Sequence, residues 1–309
     1  MRNRRTRQPT SSLCGVEALE PRSYLSASPL ANSGGADAQA QYLVNQPPRL
    51  QLGNAPLVGF AGSEFDQVDI LWQTVTVGDG QQDSFDVQFK RRDDAEWVGG
   101  VPITQIDTQV MSDLGLRVVH AAHVRKLDYD TEYQYRVRHL RGGNVLESYE
   151  AEFRTRLRSG DETSFAFAAY GDSAYLSTIQ NFRSVQGRIN ELDPAFALLL
   201  GDNAYNFGSH LNYDARFDPK ISPEASSWTA GHIDYFAYGN HDRIERRGQA
   251  TRDNYSVPIP VAGLNSVVSA PGQTELTYSF DYGDVHFVTF NTNFFANASA
   301  LDALLSYVE

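Results

Sequence analysis

Three times in the second half of this 309-residue chain, a short apolar run ends in glycine followed by an oxygen-bearing side chain. Phe165-Ala166-Phe167-Ala168-Ala169-Tyr170 leads into Gly171-Asp172, and Ala195-Phe196-Ala197-Leu198-Leu199-Leu200 into Gly201-Asp202. Ile233-Asp234-Tyr235-Phe236-Ala237-Tyr238 leads into Gly239-Asn240. A near-continuous apolar run such as the first reads as a strand buried on both faces. Between the first two runs, Ile179, Phe182, Val185, Ile189 and Leu192 recur near a helical period. Strand, helix, strand defines α/β architecture. In an open α/β sheet, ligands bind outside the carboxyl ends of the strands. Glycine at that point permits a sharp turn and close backbone approach, so Asp172, Asp202 and Asn240 are predicted to face one crevice. Tyr205, three residues after Asp202, and His241, next to Asn240, add a phenol and an imidazole.

Each piece alone has an ordinary explanation. Gly-Asp pairs are common turn formers, a loop histidine can be satisfied by its surroundings, and a tyrosine can pack its ring and leave its hydroxyl in water. The ordered set, with each member following a buried strand, carries the argument. Convergent oxygen donors suit a hard or borderline cation. Farther on, residues 277–282 and 285–290 around Gly283-Asp284 read as a hairpin, and 298–308 as the first turns of a helix. The insert 206–231, with Tyr213 and Trp228, is expected to shape access to the crevice.

Residues 47–157 carry a different signal. Asp69-Ile70-Leu71-Trp72-Gln73-Thr74-Val75, Phe85-Asp86-Val87-Gln88-Phe89, Val118-Val119-His120-Ala121-Ala122-His123-Val124 and Tyr133-Gln134-Tyr135-Arg136-Val137 have strand character. Turn clusters separate them, which predicts a β-sandwich with Trp72 in its core. Residues 1–46 are assigned to a disordered leader: five arginines face two glutamates in 1–22, and 23–46 are rich in Ala, Ser, Asn and Gln. The chain as a whole has a formal charge of -12, which argues against a general nucleic-acid binder. A single cysteine, Cys14, excludes a disulfide framework and any Cys-rich zinc module. No apolar run is long enough for a transmembrane helix. The acceptor patterns Asn254-Tyr255-Ser256 and Asn297-Ala298-Ser299 are matched often by chance.

Two resemblances extend this reading. Leu19-Glu20-Pro21-Arg22 with Leu25-Ser26-Ala27 resembles the LEPR-type segment of exported bacterial proteins, which implies an exported or cell-surface location. Gly171-Asp172-Ser173-Ala174, Gly201-Asp202-Asn203-Ala204-Tyr205 and Gly239-Asn240-His241-Asp242 resemble the first three blocks of the calcineurin-like metallophosphoesterases. Tyr205 and the missing histidine at Ala174 point to the purple acid phosphatase branch, where glycine is usual at the place of Ala174. The implied fold is a fibronectin III-like all-β sandwich (47–157), then an α/β metallophosphoesterase domain (158–309), a partial ββ-sandwich flanked by helices. The segment 127–137 resembles the corner and penultimate strand of such a fibronectin III-like unit.

The implied activity is hydrolysis of a phosphate monoester by a metal-activated hydroxide, with a phosphodiesterase of the same superfamily as the alternative. The implied cofactor is a dinuclear centre of Fe(III) with Fe(II), Zn or Mn. Asp172 would bind the first metal, Asp202 would bridge, Tyr205 would bind the ferric ion and Asn240 the second metal. His241 would sit at the phosphate, with Asp242 orienting His241 or its loop. The family also supplies three histidines from later blocks, Val-x-x-His and Gly-His-x-His. After His241 this chain has only His286, inside a strand pattern. The expectation is therefore a C-terminally incomplete site with weak metal binding, little or no turnover and an exposed apolar sheet edge. A non-catalytic surface module is the remaining alternative. No transmembrane segment or nucleic-acid partner is expected, and the oligomeric state is left open.

Overall fold

The computed structural model describes residues 42–53, 64–76, 83–111, 115–257 and 278–289. The leader motif, 298–308 and Asn297 lie outside the described residues.

Seven antiparallel strands build the first unit: β1 (Tyr42–Gln51), β2 (Asp66–Thr76), β3 (Asp83–Arg91), β4 (Ile103–Met111), β5 (Gly115–Leu127), β6 (Glu132–Arg141) and β7 (Asn144–Arg154). They form two sheets, ordered β1-β2-β5-β4 and β3-β6-β7. This order corresponds to the ABED and CFG sheets of the immunoglobulin constant type. β1 starts at Tyr42, so the sandwich takes in residues 42–46, which the sequence assigns to the leader. Their alternation is masked by Asn45 and Gln46, polar residues that are partly or wholly buried and bond to Gln73 and Asp214.

Alternate residues of the facing strands fill one core: Val68, Ile70, Trp72, Ala122 and Val124 from one sheet, Val87, Tyr135, Val137 and Phe153 from the other. The predicted core tryptophan, Trp72, is fully buried. At the β5–β6 corner the Tyr133 hydroxyl accepts the Asp128 N–H at 3.0 Å, a tyrosine corner that fixes the chain's return.

His120 stacks on Trp72 at a ring separation of 5.1 Å and bonds through Nε2 to the Thr74 hydroxyl at 2.9 Å. Burial, helped by the neighbouring His139, lowers its pKa from 6.5 to about 4. Because the folded value is depressed, the unfolded chain takes up a proton in this window that the folded chain refuses. Stability is lost as pH falls from 6.5 to about 4, a change of about 3 kcal/mol at 1.36 kcal/mol per unit. Urea unfolding of the wild type and His120→Phe at pH 7 and pH 4 tests this. The variant is expected to show a shallower fall by about that amount, and parallel falls would refute the assignment.

The second unit starts with β8 (Phe167–Tyr170), α1 (Ile179–Leu192) and β9 (Phe196–Leu199). α2 (His210–Phe217), α3 (Pro223–Gly231), β10 (Asp234–Phe236) and α4 (Gln249–Asn254) follow, then the hairpin β11 (Tyr278–Tyr282) and β12 (Val285–Thr289). The parallel sheet runs β10-β9-β8, and the hairpin lies in its expected place. Phe196, Tyr235, Tyr278, Phe280 and Tyr282 pack the parallel sheet against the hairpin.

Two expectations fail here. β8 is not buried on both faces: among the described residues it is an edge strand, and Phe167 is 44% exposed. The helix buries Phe182, Gln186 and Ile189, whereas Val185 and Leu192 face solvent. A polar residue completes the stripe because the Gln186 carbonyl accepts the buried Tyr170 hydroxyl at 3.0 Å.

The units are joined by buried polar groups. Arg117 of β5 grips Asp214 of α2 with two bonds, at 2.9 and 2.7 Å. Gln46 adds a third donor to that carboxylate at 2.8 Å. Arg156, just after β7, holds Asp66 and also reaches the Asp281 carbonyl of the hairpin.

Candidate active site

The loops after β8, β9 and β10 are bonded to one another. Asp172 N–H donates to the Gly201 carbonyl and Ser173 N–H to the Asp202 carbonyl, each at 3.1 Å. Asp172 and Asp202 take φ of 51° and 52°, in the left-handed region that Asp tolerates better than most residues with a Cβ. Gly239 has no room for a side chain: a Cβ there would lie 2.1 Å from the Asp202 amide nitrogen. Ala174, where the resembled family has glycine, is fully buried with φ 58°, so its methyl is held in a strained conformation.

This geometry brings four of the five predicted residues into contact. The Tyr205 hydroxyl lies 2.6 Å from Asp172 Oδ1 and 3.2 Å from Asp202 Oδ2. His241 N–H donates to Asp202 Oδ1 at 2.9 Å, and the Tyr205 and His241 rings are 4.5 Å apart. His241 Nδ1 lies 2.8 Å from the Asn206 carbonyl. A carbonyl only accepts, so it is Nδ1 that donates in this contact. Asn240 is exposed beside them and takes no part in these hydrogen bonds. The Tyr205 pKa is raised well above the ordinary phenol value by desolvation, the Asp172 hydrogen bond and the nearby carboxylate charges.

Asp242 orients the loop. It is fully buried, with Oδ1 accepting Asn203 N–H at 2.8 Å and Ala204 N–H at 3.2 Å. Its Oδ2 accepts Gly239 N–H and Asn203 Nδ2, both at 2.9 Å. Burial holds its carboxyl above the usual carboxylate range. One side chain thus ties the loop after β9 to the loop after β10.

Sequence reasoning missed Arg216 of α2. It is fully buried, donates to the Ser173 hydroxyl and to the Tyr170 hydroxyl, and pairs with Asp234. It thereby supports the Asp172 loop from below. The only signal was a cation within the insert, which does not set it apart from a solvated arginine.

Within the insert 206–231, Tyr213 and Trp228 turn inward. Both are buried: the Tyr213 hydroxyl meets Thr251 at 2.8 Å, and Trp228 Nε1 donates to Asp234 at 2.9 Å. His210 turns to Asp253 and Asn254 of α4, and His286 pairs with Asp281 on the hairpin. Asn254 is fully buried and bonded to the Ala250 carbonyl, so it is no accessible glycan acceptor.

Two carboxylates and a phenol facing one point fit one hard cation. They do not make up a two-metal centre: among the described residues no cluster of three or more His, Cys, Asp or Glu could hold a metal ion. The described residues therefore show no group that fits the implied centre of Fe(III) with Fe(II), Zn or Mn.

The chain matches no family model and no curated protein. Among solved structures it is similar to purple acid phosphatase PPD1 from yellow lupin (Lupinus luteus) seeds, with a TM-score of 0.55 and 15% identity. That likeness covers 84% of this chain and 48% of the lupin chain, so this chain spans about half the length of that protein. Vertebrate Astrotactin-2 is matched at a TM-score of 0.26, 14% identity, over 48% of this chain and 25% of that one. A glycosyl hydrolase family 2 member from Bacteroides cellulosilyticus is matched at 0.27, 11% identity, over 62% and 31%. Of these three, the lupin likeness has a score that supports a shared fold. No helix among the described residues is long and apolar enough to cross a membrane.

Proposed function

We propose that this chain is built on the phosphoesterase plan, with an acid-phosphatase-type site that acts on phosphate monoesters. The observation that carries the reading is the Tyr205 hydroxyl set between Asp172 and Asp202, with His241 N–H on the same Asp202 carboxylate. Asp172, Asp202 and Tyr205 would hold one hard cation, which when bound would polarise a phosphoryl oxygen and acidify water. His241, with Nδ1 fixed by the Asn206 carbonyl, presents Nε2 as the group that can hold a proton for the leaving alkoxide. Asn240 would add an amide oxygen at the same loop ends.

With nitrogen ligands lacking among the described residues, the 309-residue form is expected to bind metal weakly and turn over little. The finer assignments, a fibronectin III-like sandwich, export to the cell surface and no nucleic-acid partner, belong to this same proposal. A second reading, a binding module with a vestigial site, is favoured by the lack of a third His, Cys, Asp or Glu ligand among the described residues.

Calorimetric titration of the chain with Mn(II) separates the two. The phosphoesterase reading expects saturable binding that weakens about tenfold in Asp172→Asn and in Tyr205→Phe, about 1.4 kcal/mol each. Both positions are at least partly exposed, so the variants are expected to stay folded. No saturable binding, or binding unaffected by either change, would leave the module reading standing. Turnover of p-nitrophenyl phosphate against bis(p-nitrophenyl) phosphate then separates monoester from diester chemistry.

A further inference from the structure

A carboxylate, an imidazole and a hydroxyl lie in line across three strands of the sandwich, apart from the loops that carry the candidate active site. Asp69 of β2 pairs directly with His123 of β5, and Thr104 of β4 pairs with Ala121, two residues before His123. Side chains two apart on a strand share a face. The three groups therefore fall on one side of the sheet, opposite the side that carries Trp72. Asp69 is fully buried, the His123 side chain is 18% exposed and Thr104 is exposed, so the line runs from the interior out to solvent.

His123 Nδ1 lies 2.9 Å from Asp69 Oδ1, and His123 Nε2 lies 3.0 Å from the Thr104 hydroxyl. An ionised carboxylate only accepts, so Nδ1 donates to it. In the neutral ring Nε2 is then the acceptor, and the Thr104 hydroxyl donates to it. The Ala121 carbonyl is a poorer acceptor for that hydroxyl, at 3.5 Å. Asp69 is itself held in place: Arg125 Nη1 donates to Oδ1 and the Ser256 hydroxyl to Oδ2, each at 2.7 Å. Burial works against its charge, yet the His123 and Arg125 contacts hold its carboxyl below the usual carboxylate range. A hydroxyl in hydrogen-bond reach of a base, with the base oriented by a third group, is the arrangement of an activated nucleophile. Pinning the sheet edge needs Thr104 and His123 alone, with no buried carboxylate behind the ring.

We propose that Thr104 is a second reactive site, an acyl acceptor for activated esters, with His123 as its general base. Thr104 Oγ1 adds to the ester carbonyl carbon, the bond from that carbon to the leaving oxygen breaks, and a phenolate departs with the electron pair. The hydroxyl proton passes to His123 Nε2 and from there to water. The product is an ester on Thr104, and the step needs no oxidant or reductant.

The test treats the full chain with p-nitrophenyl acetate and maps acetyl groups by peptide mass spectrometry. Ser184 serves as the internal reference, an exposed hydroxyl bonded to the Gln180 carbonyl rather than to a base. Acetylation of Thr104 is expected to exceed that of Ser184 about tenfold or more, although a secondary hydroxyl is the more hindered. His123→Gln keeps a hydrogen-bonding group but has no base, and is expected to slow labelling of Thr104 about 100-fold with Ser184 unchanged. Thr104→Val is expected to remove the matching fast release of p-nitrophenolate. Labelling of Thr104 no faster than that of Ser184, or unchanged in His123→Gln, overturns the proposal. The wild-type comparison decides by itself if the histidine variant fails to fold. Either result leaves the phosphoesterase reading untouched, since that reading concerns other residues.

Discussion

Replacing Asp242 with alanine is expected to lower the stability of the chain by about 4 kcal/mol, the largest effect of any single change at the site. The carboxylate is fully buried and accepts the amides of Asn203, Ala204 and Gly239 together with Asn203 Nδ2. Each buried donor left unsatisfied costs about 1–3 kcal/mol, and the total falls short of the sum because the loops relax once uncoupled. Asparagine does not rescue it, since its amide nitrogen would face donors where the carboxylate accepts. Urea unfolding measures the change, with the exposed Asp172→Asn, which also tolerates the left-handed backbone there, as a reference expected to shift stability by less than about 1 kcal/mol. Comparable shifts for the two variants would remove Asp242 from its role as the tie between the loops.

The second large effect lies at the join between the two units. Asp214→Ala is expected to cost about 3–5 kcal/mol, because Arg117 stays buried without its carboxylate. Arg117 and Asp214 side chains are 3% and 12% exposed and meet at 2.7 Å. The double change Arg117→Met with Asp214→Leu removes both charges and is expected to recover most of the loss. Thermal unfolding of the three proteins decides it. A double variant no more stable than Asp214→Ala would mean that the contact acts through shape and hydrogen bonding, not through an unpaired charge. The single variant is also expected to separate the unfolding of the two units, since α2 carries both Asp214 and the buried Arg216 that supports the Asp172 loop.

Much of the site was legible in the chain. The Gly-polar pairs declare themselves because a strand must end in a turn, and the turns after parallel strands open on one side of the sheet. Tyr205 and His241 fall beside Asp202 for the same local reason. What was not legible depends on partners distant in sequence. Asp242 looks like one more loop acid until its five donors, the Tyr213 hydroxyl among them, are seen, and Arg216 looks like a surface cation until it is found beneath Ser173. Tyr213 and Trp228 are buried anchors of the insert, whereas Phe207 and Tyr175 stand exposed on the loops that carry the site.

The amino-acid sequence by itself determined the two-part architecture, the strand ends and the residue types gathered there, because these follow from hydrophobic period and turn chemistry over a few neighbouring positions. Only the tertiary structure decided which oxygens meet. The Tyr205 hydroxyl reaches two carboxylates on different loops, and His241 is turned by the Asn206 carbonyl. Those contacts depend on the register of three parallel strands and on buried charges clamping the insert to the sandwich. Both are set by long-range packing energies that no local window of sequence contains.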